Sequence, residues 1–343
     1  MGVGKIYKIL LIILFLFMIS FALLNDLVHF YKVPLTTPSE NRNLATMPVF
    51  NLGKLDPFVP RYTAFFNDHF PFREEIKKWN SLFSFFVLHE SPLPKEVSVG
   101  KDGWIFYRQK EILVYNGKFN LSPWRVKSIA KELHNRTIKY RGKGIRFYVA
   151  FPPMKPEVYP EKLPAGFRRA MDGTVTDQII EAISVDSTIA FIDLRKALLK
   201  AKKEDQLYPQ TDNHWNQVGA FFGYQAIMNR ICKDFPFLHP LTRADFNFKM
   251  EQYDGGNLAN MIGLDEYFPR KEKVPVMKKL KSSWLKSNRK KPDWAKYIDD
   301  YELIATTKDS SLPKILVIRD SYTYMLMPYL NESFNTTTYL FDS

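Results

Sequence analysis

Near its carboxyl end the chain runs Ile315-Leu316-Val317-Ile318 straight into Arg319-Asp320-Ser321-Tyr322-Thr323. A β-branched run that stops at Asp-Ser predicts a buried parallel strand ending in a sharp turn. Tyr324, Met325, Leu326 and Leu330 then predict the start of a helix. Ser321 Oγ would sit at the carboxyl end of a strand and beside a helix amino terminus. There the turn exposes the oxygen and the helix amides favour negative charge. A serine presented in this way is a candidate nucleophile.

A nucleophilic serine needs a base, and the chain has only 6 histidines. One lies in Thr211-Asp212-Asn213-His214-Trp215. Asp212 and His214 are two positions apart, close enough in a turn for the carboxylate to take the imidazole Nδ1–H. That bond fixes the tautomer and leaves Nε2 free to accept the serine proton. Taken singly, Asp-x-His also occurs in ordinary polar loops, and Asp-Ser is also a common helix cap. Occurring together, each where an α/β sheet would place it, they predict a catalytic set of Asp212, His214 and Ser321.

Strand and helix patterns alternate from residue 122 to residue 341. Ser122-Pro123 starts a helix whose buried face carries Val126, Ile129 and Leu133. Strands are predicted at 145–151, 188–193, 314–318 and 337–341. Pro152-Pro153-Met154-Lys155 forms a rigid loop after the first of them. Asn216 caps a helix bearing Val218, Phe221, Phe222, Ile227 and Ile231. Earlier, Val97-Ser98-Val99-Gly100-Lys101-Asp102-Gly103-Trp104-Ile105-Phe106 reads as a hairpin with Asp-Gly in the turn. The expected fold is α/β: a three-layer α/β/α domain with a mostly parallel sheet. Its ligand crevice would lie at the carboxyl ends of the strands, where the Pro152, Asp212 and Ser321 segments would meet.

The amino end predicts an address. Lys5 and Lys8 precede residues 9–24, which carry no charge. A run of that length approaches the ~20 residues that span a bilayer. The expected organisation is an anchor over 1–26, an extended tether over 27–56, and a catalytic domain over 57–343. The lysines would hold the amino end in the cytoplasm and place the domain outside, at the cell membrane. A cleaved signal peptide ending near Ser20-Phe21-Ala22 is the alternative. The single cysteine, Cys232, excludes an internal disulfide and a Cys-rich zinc site, and no metal or cofactor is expected.

The net charge is +13. Residues 270–296 hold eleven Lys and Arg against Glu272 and Asp293, with Trp284, Trp294 and Tyr297 interleaved or adjoining. Outside a cytoplasm such a segment suits an anionic glycan or headgroups better than nucleic acid. A solvated insertion explains it equally.

Taken in order, the motifs resemble one family. They are Glu40-Asn41-Arg42-Asn43-Leu44-Ala45, Asp68-His69-Phe70-Pro71-Phe72-Arg73 and residues 99–107. Pro153-Met154-Lys155, Tyr159-Pro160, Thr211-Asp212-Asn213-His214-Trp215-Asn216 and Arg319-Asp320-Ser321-Tyr322-Thr323 follow. The chain is similar to the alginate O-acetyltransferase-like (AlgX/AlgJ-like) branch of the SGNH hydrolase superfamily, known by an Asp-His-His-Trp signature. Asn213 stands at the second signature position. The resemblance implies a circularly permuted order, with Asp and His before the serine. It further implies O-acetylation of a secreted polysaccharide, with a membrane-bound O-acyltransferase as acetyl-donor partner.

The expected chemistry is two-step acyl transfer through an acetyl-Ser321, with His214 as base and Asp212 orienting it. The Ser321 amide is the first oxyanion donor expected; Gly256 and Asn257, in a segment that resembles one near the family's site, are further candidates. Trp215 and Tyr322 are candidate sugar-contacting rings by position, although Trp215 also suits the core. An acetylesterase would use the same residues. A non-catalytic polysaccharide-binding scaffold is the third alternative.

Overall fold

The computed structural model describes residues 3–28, 31–32, 36–37, 42–50, 53, 57–295, 297, 299 and 301–341. The chain divides into two compact units. One comprises Met1–Pro92 with Asn260–Leu264, and the other Leu93–Ala259 with Asp265–Ser343.

The first unit begins with the helix Val3–Val28. Among the described residues no helix is long and apolar enough to cross a membrane. The expected single-pass anchor, and the cell-membrane localisation that rested on it, are therefore overturned. Two short strands follow, β1 (Thr36–Thr37) and β2 (Arg42–Asn43), paired antiparallel. Part of the expected tether at 27–56 lies outside the described residues, as do Glu40 and Asn41. Helices Phe58–Asp68 and Arg73–Leu82 complete the unit. The buried Asp68 carboxylate accepts the Ala45 N–H at 2.8 Å.

The second unit opens with the expected hairpin, β3 (Val97–Val99) against β4 (Ile105–Tyr107). Asp102 and Gly103 both adopt positive φ, 54° and 75°, as a tight hairpin turn requires. Ser122 caps the helix Pro123–Arg141 by accepting the Arg125 N–H. β5 (Tyr148–Phe151) pairs in parallel with β6 (Ala190–Asp193). β7 (Phe246–Tyr253) and β8 (Arg270–Met277) form a long antiparallel pair. β9 (Ser283–Leu285), β10 (Glu302–Thr306), β11 (Lys314–Arg319) and β12 (Thr336–Phe341) make a four-stranded sheet in the order β11-β12-β10-β9.

The α/β character stands, but the single mostly parallel sheet of a three-layer domain does not. The four expected strands form as two parallel pairs, β5 with β6 and β11 with β12, in separate small sheets. β10 and β9 extend the second sheet antiparallel. Chain length explains the mixture. Residues 307–313 are too few for the crossover that would make β10 and β11 run the same way. Residues 320–335 between β11 and β12 are enough, and they carry two short helices.

The expectation of a fully buried strand at 314–318 also fails. β11 is an edge strand whose Ile315 and Val317 pack toward the core, while Leu316 and Ile318 are 58% and 57% exposed. Beyond β8 the basic segment is largely exposed. It contributes β8 and β9, and buried carboxylates hold it. Glu332 accepts the Lys281 and Ser282 N–H groups at 2.9 and 3.0 Å, and Glu302 pairs with Arg289 at 2.7 Å.

The core centres on the helix Gln217–Ile231, capped by Asn216 Oδ1 accepting the Gly219 N–H at 2.8 Å. Trp215, Phe221, Tyr224, Phe246, Tyr329 and Tyr339 pack about it. Gly223 is needed there, because a Cβ would lie 2.9 Å from the Trp215 ring.

Candidate active site

Two segments 107 positions apart meet at the carboxyl end of β11. Asp320 caps the 3-10 turn Ser321–Met325 by accepting the Tyr322 N–H at 3.0 Å, which leaves Ser321 exposed as its first residue. The amide of a first helical residue has no intrahelical acceptor and can serve a ligand. Asp320 thus caps the turn that presents Ser321.

His214 Nε2 lies 2.8 Å from Ser321 Oγ. His214 Nδ1 lies 3.1 Å from Asp212 Oδ1, which also accepts the His214 backbone N–H at 2.9 Å. A carboxylate only accepts, so Nδ1 carries the hydrogen and Nε2 accepts from the serine hydroxyl. Burial raises the Asp212 carboxyl, but the bonds from the His214 ring and from the Asn257 and His214 amides outweigh it. Together they bring it down to about 2. Asp212 is thus a fixed anion at neutral pH.

The remaining candidates are placed as follows. The Asn257 amide donates to Asp212 Oδ2 at 2.9 Å, and the Gly256 amide donates to Thr211 Oγ1 at 2.9 Å. Both amides are spent on holding the Asp212 loop rather than pointing at a reacting carbonyl. The Asn257 side chain donates to Asn213 Oδ1 at 3.1 Å. Gly256 admits the loop at close range, since a Cβ would meet Asp212 Cβ at 2.6 Å and Thr211 O at 2.7 Å.

Trp215 is only 1% exposed, and its indole N–H donates to the Tyr322 carbonyl at 2.9 Å. It offers no face to a sugar. Tyr322 is half-buried. Its hydroxyl donates to the Asn213 carbonyl at 2.9 Å, and its ring lies 4.9 Å from the His214 ring and 5.6 Å from Trp215. The two rings clasp the serine turn to the histidine loop.

Two charged residues beneath the site escaped the sequence reading. Lys155, at the end of the Pro152 loop, is fully buried, and its Nζ donates to the carbonyls of Ile105, Gln210 and Asp212. Desolvation pushes its ammonium down. The three carbonyls oppose that, because a neutral amine has only two N–H groups to give. Glu111 is buried too, and desolvation pushes its carboxyl up. Its Oε1 lies 3.5 Å from the Tyr322 hydroxyl, and its Oε2 has no partner among the described residues. Nothing in Arg108-Gln109-Lys110-Glu111 marks Glu111 as buried. The Lys155 signal was visible as a lysine closing a proline loop at a strand end.

Among the described residues no group of three His, Cys, Asp or Glu is placed to hold a metal. A separate cavity of about 160 Å³, lined by Arg141, Arg146, Arg230 and Asp234, sits at the opposite, amino ends of β5 and β6.

A strand-turn serine joined through His214 to Asp212, on an α/β scaffold with the acid and base earlier in the chain, defines an SGNH hydrolase-like domain. The model of the family "SGNH hydrolase-like domain, acetyltransferase AlgX" matches residues 97–334, and the chain belongs to that AlgX/AlgJ-like family. It is 25% identical over 242 residues to the probable alginate O-acetylase AlgJ of Pseudomonas aeruginosa, covering 67% of this chain. The chain spans about half the length of that relative, 56%. Bacillus cereus PatB1, solved with a sulfonyl adduct, shares the fold with a TM-score of 0.51 and 19% identity. That match covers 71% of this chain and 84% of PatB1. The protein therefore carries an acetyltransferase-like SGNH domain.

Proposed function

We propose that the protein is a serine-dependent O-acetyltransferase that moves an acetyl group through acetyl-Ser321 to a hydroxyl of a polysaccharide. The observation that carries the reading is the 2.8 Å approach of His214 Nε2 to Ser321 Oγ, with Asp212 behind Nδ1. His214 takes the serine proton as Oγ attacks the donor carbonyl, then returns it to the leaving group. A sugar hydroxyl, deprotonated by the same imidazole, next attacks the acetyl-serine and regenerates the hydroxyl. The Ser321 amide, at the start of its turn, is the first donor to the oxyanion. Tyr324, three residues on and 48% exposed, offers a sugar face the side of its ring away from Arg319, whose guanidinium stacks on it.

The similarity to a probable alginate O-acetylase supports a polysaccharide acceptor. A membrane-bound O-acyltransferase is the proposed source of acetyl groups. Acetyl ester hydrolysis is the second reading. It is favoured by the exposure of Ser321, which leaves water free to reach the acyl group when no sugar is bound.

Ser321→Ala tests the proposal. Turnover of an activated acetyl ester and acetylation of added oligosaccharide should both fall by roughly 10³-fold or more. A variant that acetylates at the wild-type rate would refute the assignment. Product mass with and without oligosaccharide separates transfer from hydrolysis.

A further inference from the structure

Pro152-Pro153-Met154-Lys155 is a motif that the acyl-transfer chemistry leaves unused, and it ends in a buried charge. The Lys155 ammonium has three N–H groups and three acceptors: Ile105 O at 2.8 Å, Gln210 O at 2.7 Å and Asp212 O at 2.9 Å. Two of these carbonyls belong to the loop that carries Asp212 and His214, and the third to β4. Gln210 O also accepts the Ile105 N–H at 2.9 Å, so strand and loop are already joined at that point. The rings of Trp104 and Phe106 flank the ammonium, their centroids 4.9 and 5.0 Å from Nζ. The Tyr208 hydroxyl donates to the Pro153 carbonyl and fixes the loop from its other end.

No carboxylate lies within ion-pairing distance of Lys155 among the described residues. Backbone carbonyls and aromatic faces satisfy it instead. A surface lysine would serve solubility, whereas a lysine with every donor spent on backbone serves geometry. The geometry in question is that of the peptide whose side chain orients His214.

We propose that Lys155 is a positioning residue for the reaction at Ser321. By fastening the Asp212 carbonyl and its neighbour Gln210 to β4, it sets the direction in which the Asp212 carboxylate meets His214 Nδ1. The proposal rests on the reading of His214 and Ser321 as the reacting pair.

The test compares Lys155→Met, which keeps the length and loses all three donors, with Lys155→Gln, which keeps a shorter amide donor. Lys202→Met is the control. That lysine also donates to a backbone carbonyl, of Val158, but away from the Asp212 loop. Kinetics on a soluble acetyl ester are read beside circular dichroism and the ¹H resonance of His214 Nδ1–H. In folded Lys155→Met, kcat should fall about 100-fold with KM nearly unchanged, since a misdirected orienting group costs roughly that much. The Nδ1–H resonance should move or broaden. Lys155→Gln should fall between, and Lys202→Met should keep wild-type kcat and resonance.

A folded Lys155→Met with kcat within about 3-fold of wild type and an unmoved resonance overturns the proposal. Failure of both Lys155 variants to fold also overturns it, leaving Lys155 a folding residue only. Ser321→Ala, run alongside, separates the two claims. If Ser321→Ala is inactive while Lys155→Met is active, only the Lys155 proposal falls. If Ser321→Ala is active, the underlying reading falls.

Discussion

The two halves of the site are built in opposite ways. The Asp212–His214 loop is embedded. Buried Lys155 holds it from below, the amides of Gly256 and Asn257 hold it from the side, and buried Trp215 closes it. The Ser321 turn hangs from β11, an edge strand with Leu316 and Ile318 exposed on its outer face. The base is therefore positioned by its own surroundings, while the nucleophile is positioned largely through the base. Three contacts tie the serine turn across: His214 to Ser321 Oγ, the Trp215 N–H to the Tyr322 carbonyl, and the Tyr322 hydroxyl to the Asn213 carbonyl. Damage to the embedded half should then cost far more than damage to the strand that carries the serine.

The largest effect should come from Asp212→Asn, lowering kcat by roughly 10²–10⁴-fold through the wrong tautomer of His214. The same change has a pH signature. The folded carboxyl is held at about 2. That is below its unfolded value of ~3.9, so its contribution of about 2 kcal/mol is complete above about pH 4 and lost as pH falls toward 2. Urea unfolding of wild type and variant should differ by about that amount at pH 7 and converge in acid. A constant difference would contradict the assigned bonds.

Gly256→Ala comes next. The added methyl would press on Asp212 Cβ and the Thr211 carbonyl, backbone that cannot yield cheaply. We expect kcat to drop about 10²-fold with fold retained, as a displacement of about 1 Å would give. Trp215→Phe removes the N–H held by Tyr322 O while keeping most of the packing. It should cost about 1–3 kcal/mol in chemical unfolding for the unpaired carbonyl, and roughly 10-fold in kcat. At the small end, Leu316→Thr and Ile318→Thr on the outer face of β11 should change stability by no more than about 0.5 kcal/mol. A loss above 2 kcal/mol there would mean that the edge strand is supported on its exposed outer face.

Much of the site was legible from sequence. Asp212 and His214 stand two apart, Asn216 follows as a helix cap, and the Ser321 turn follows a β-branched run. These are local signals, and local chemistry honours them. Burial was less legible. Four apolar residues in a row predict a strand covered on both faces, but sheet order decides coverage, and β11 falls at an edge. The parallel pairs were visible as strands; the antiparallel β9 is only three residues long, and the short apolar Leu303-Ile304-Ala305 of β10 follows a basic segment, so neither was read as a strand. Glu111 was missed, and Lys155 was seen in its motif without its burial, because long-range contacts alone reveal a buried charge. The amino-terminal expectation failed for a related reason: apolar composition suggested a span that the described helix does not provide.

The most direct measurement is mass spectrometry of the protein quenched during turnover of an acetyl ester. The account predicts one acetyl group on the peptide containing Ser321 in wild type. Its steady-state occupancy should be higher when oligosaccharide is withheld and lower when it is supplied, and it should be absent from His214→Ala. Turnover at the wild-type rate with no acetyl group on Ser321, or with the group carried by another residue, would contradict it.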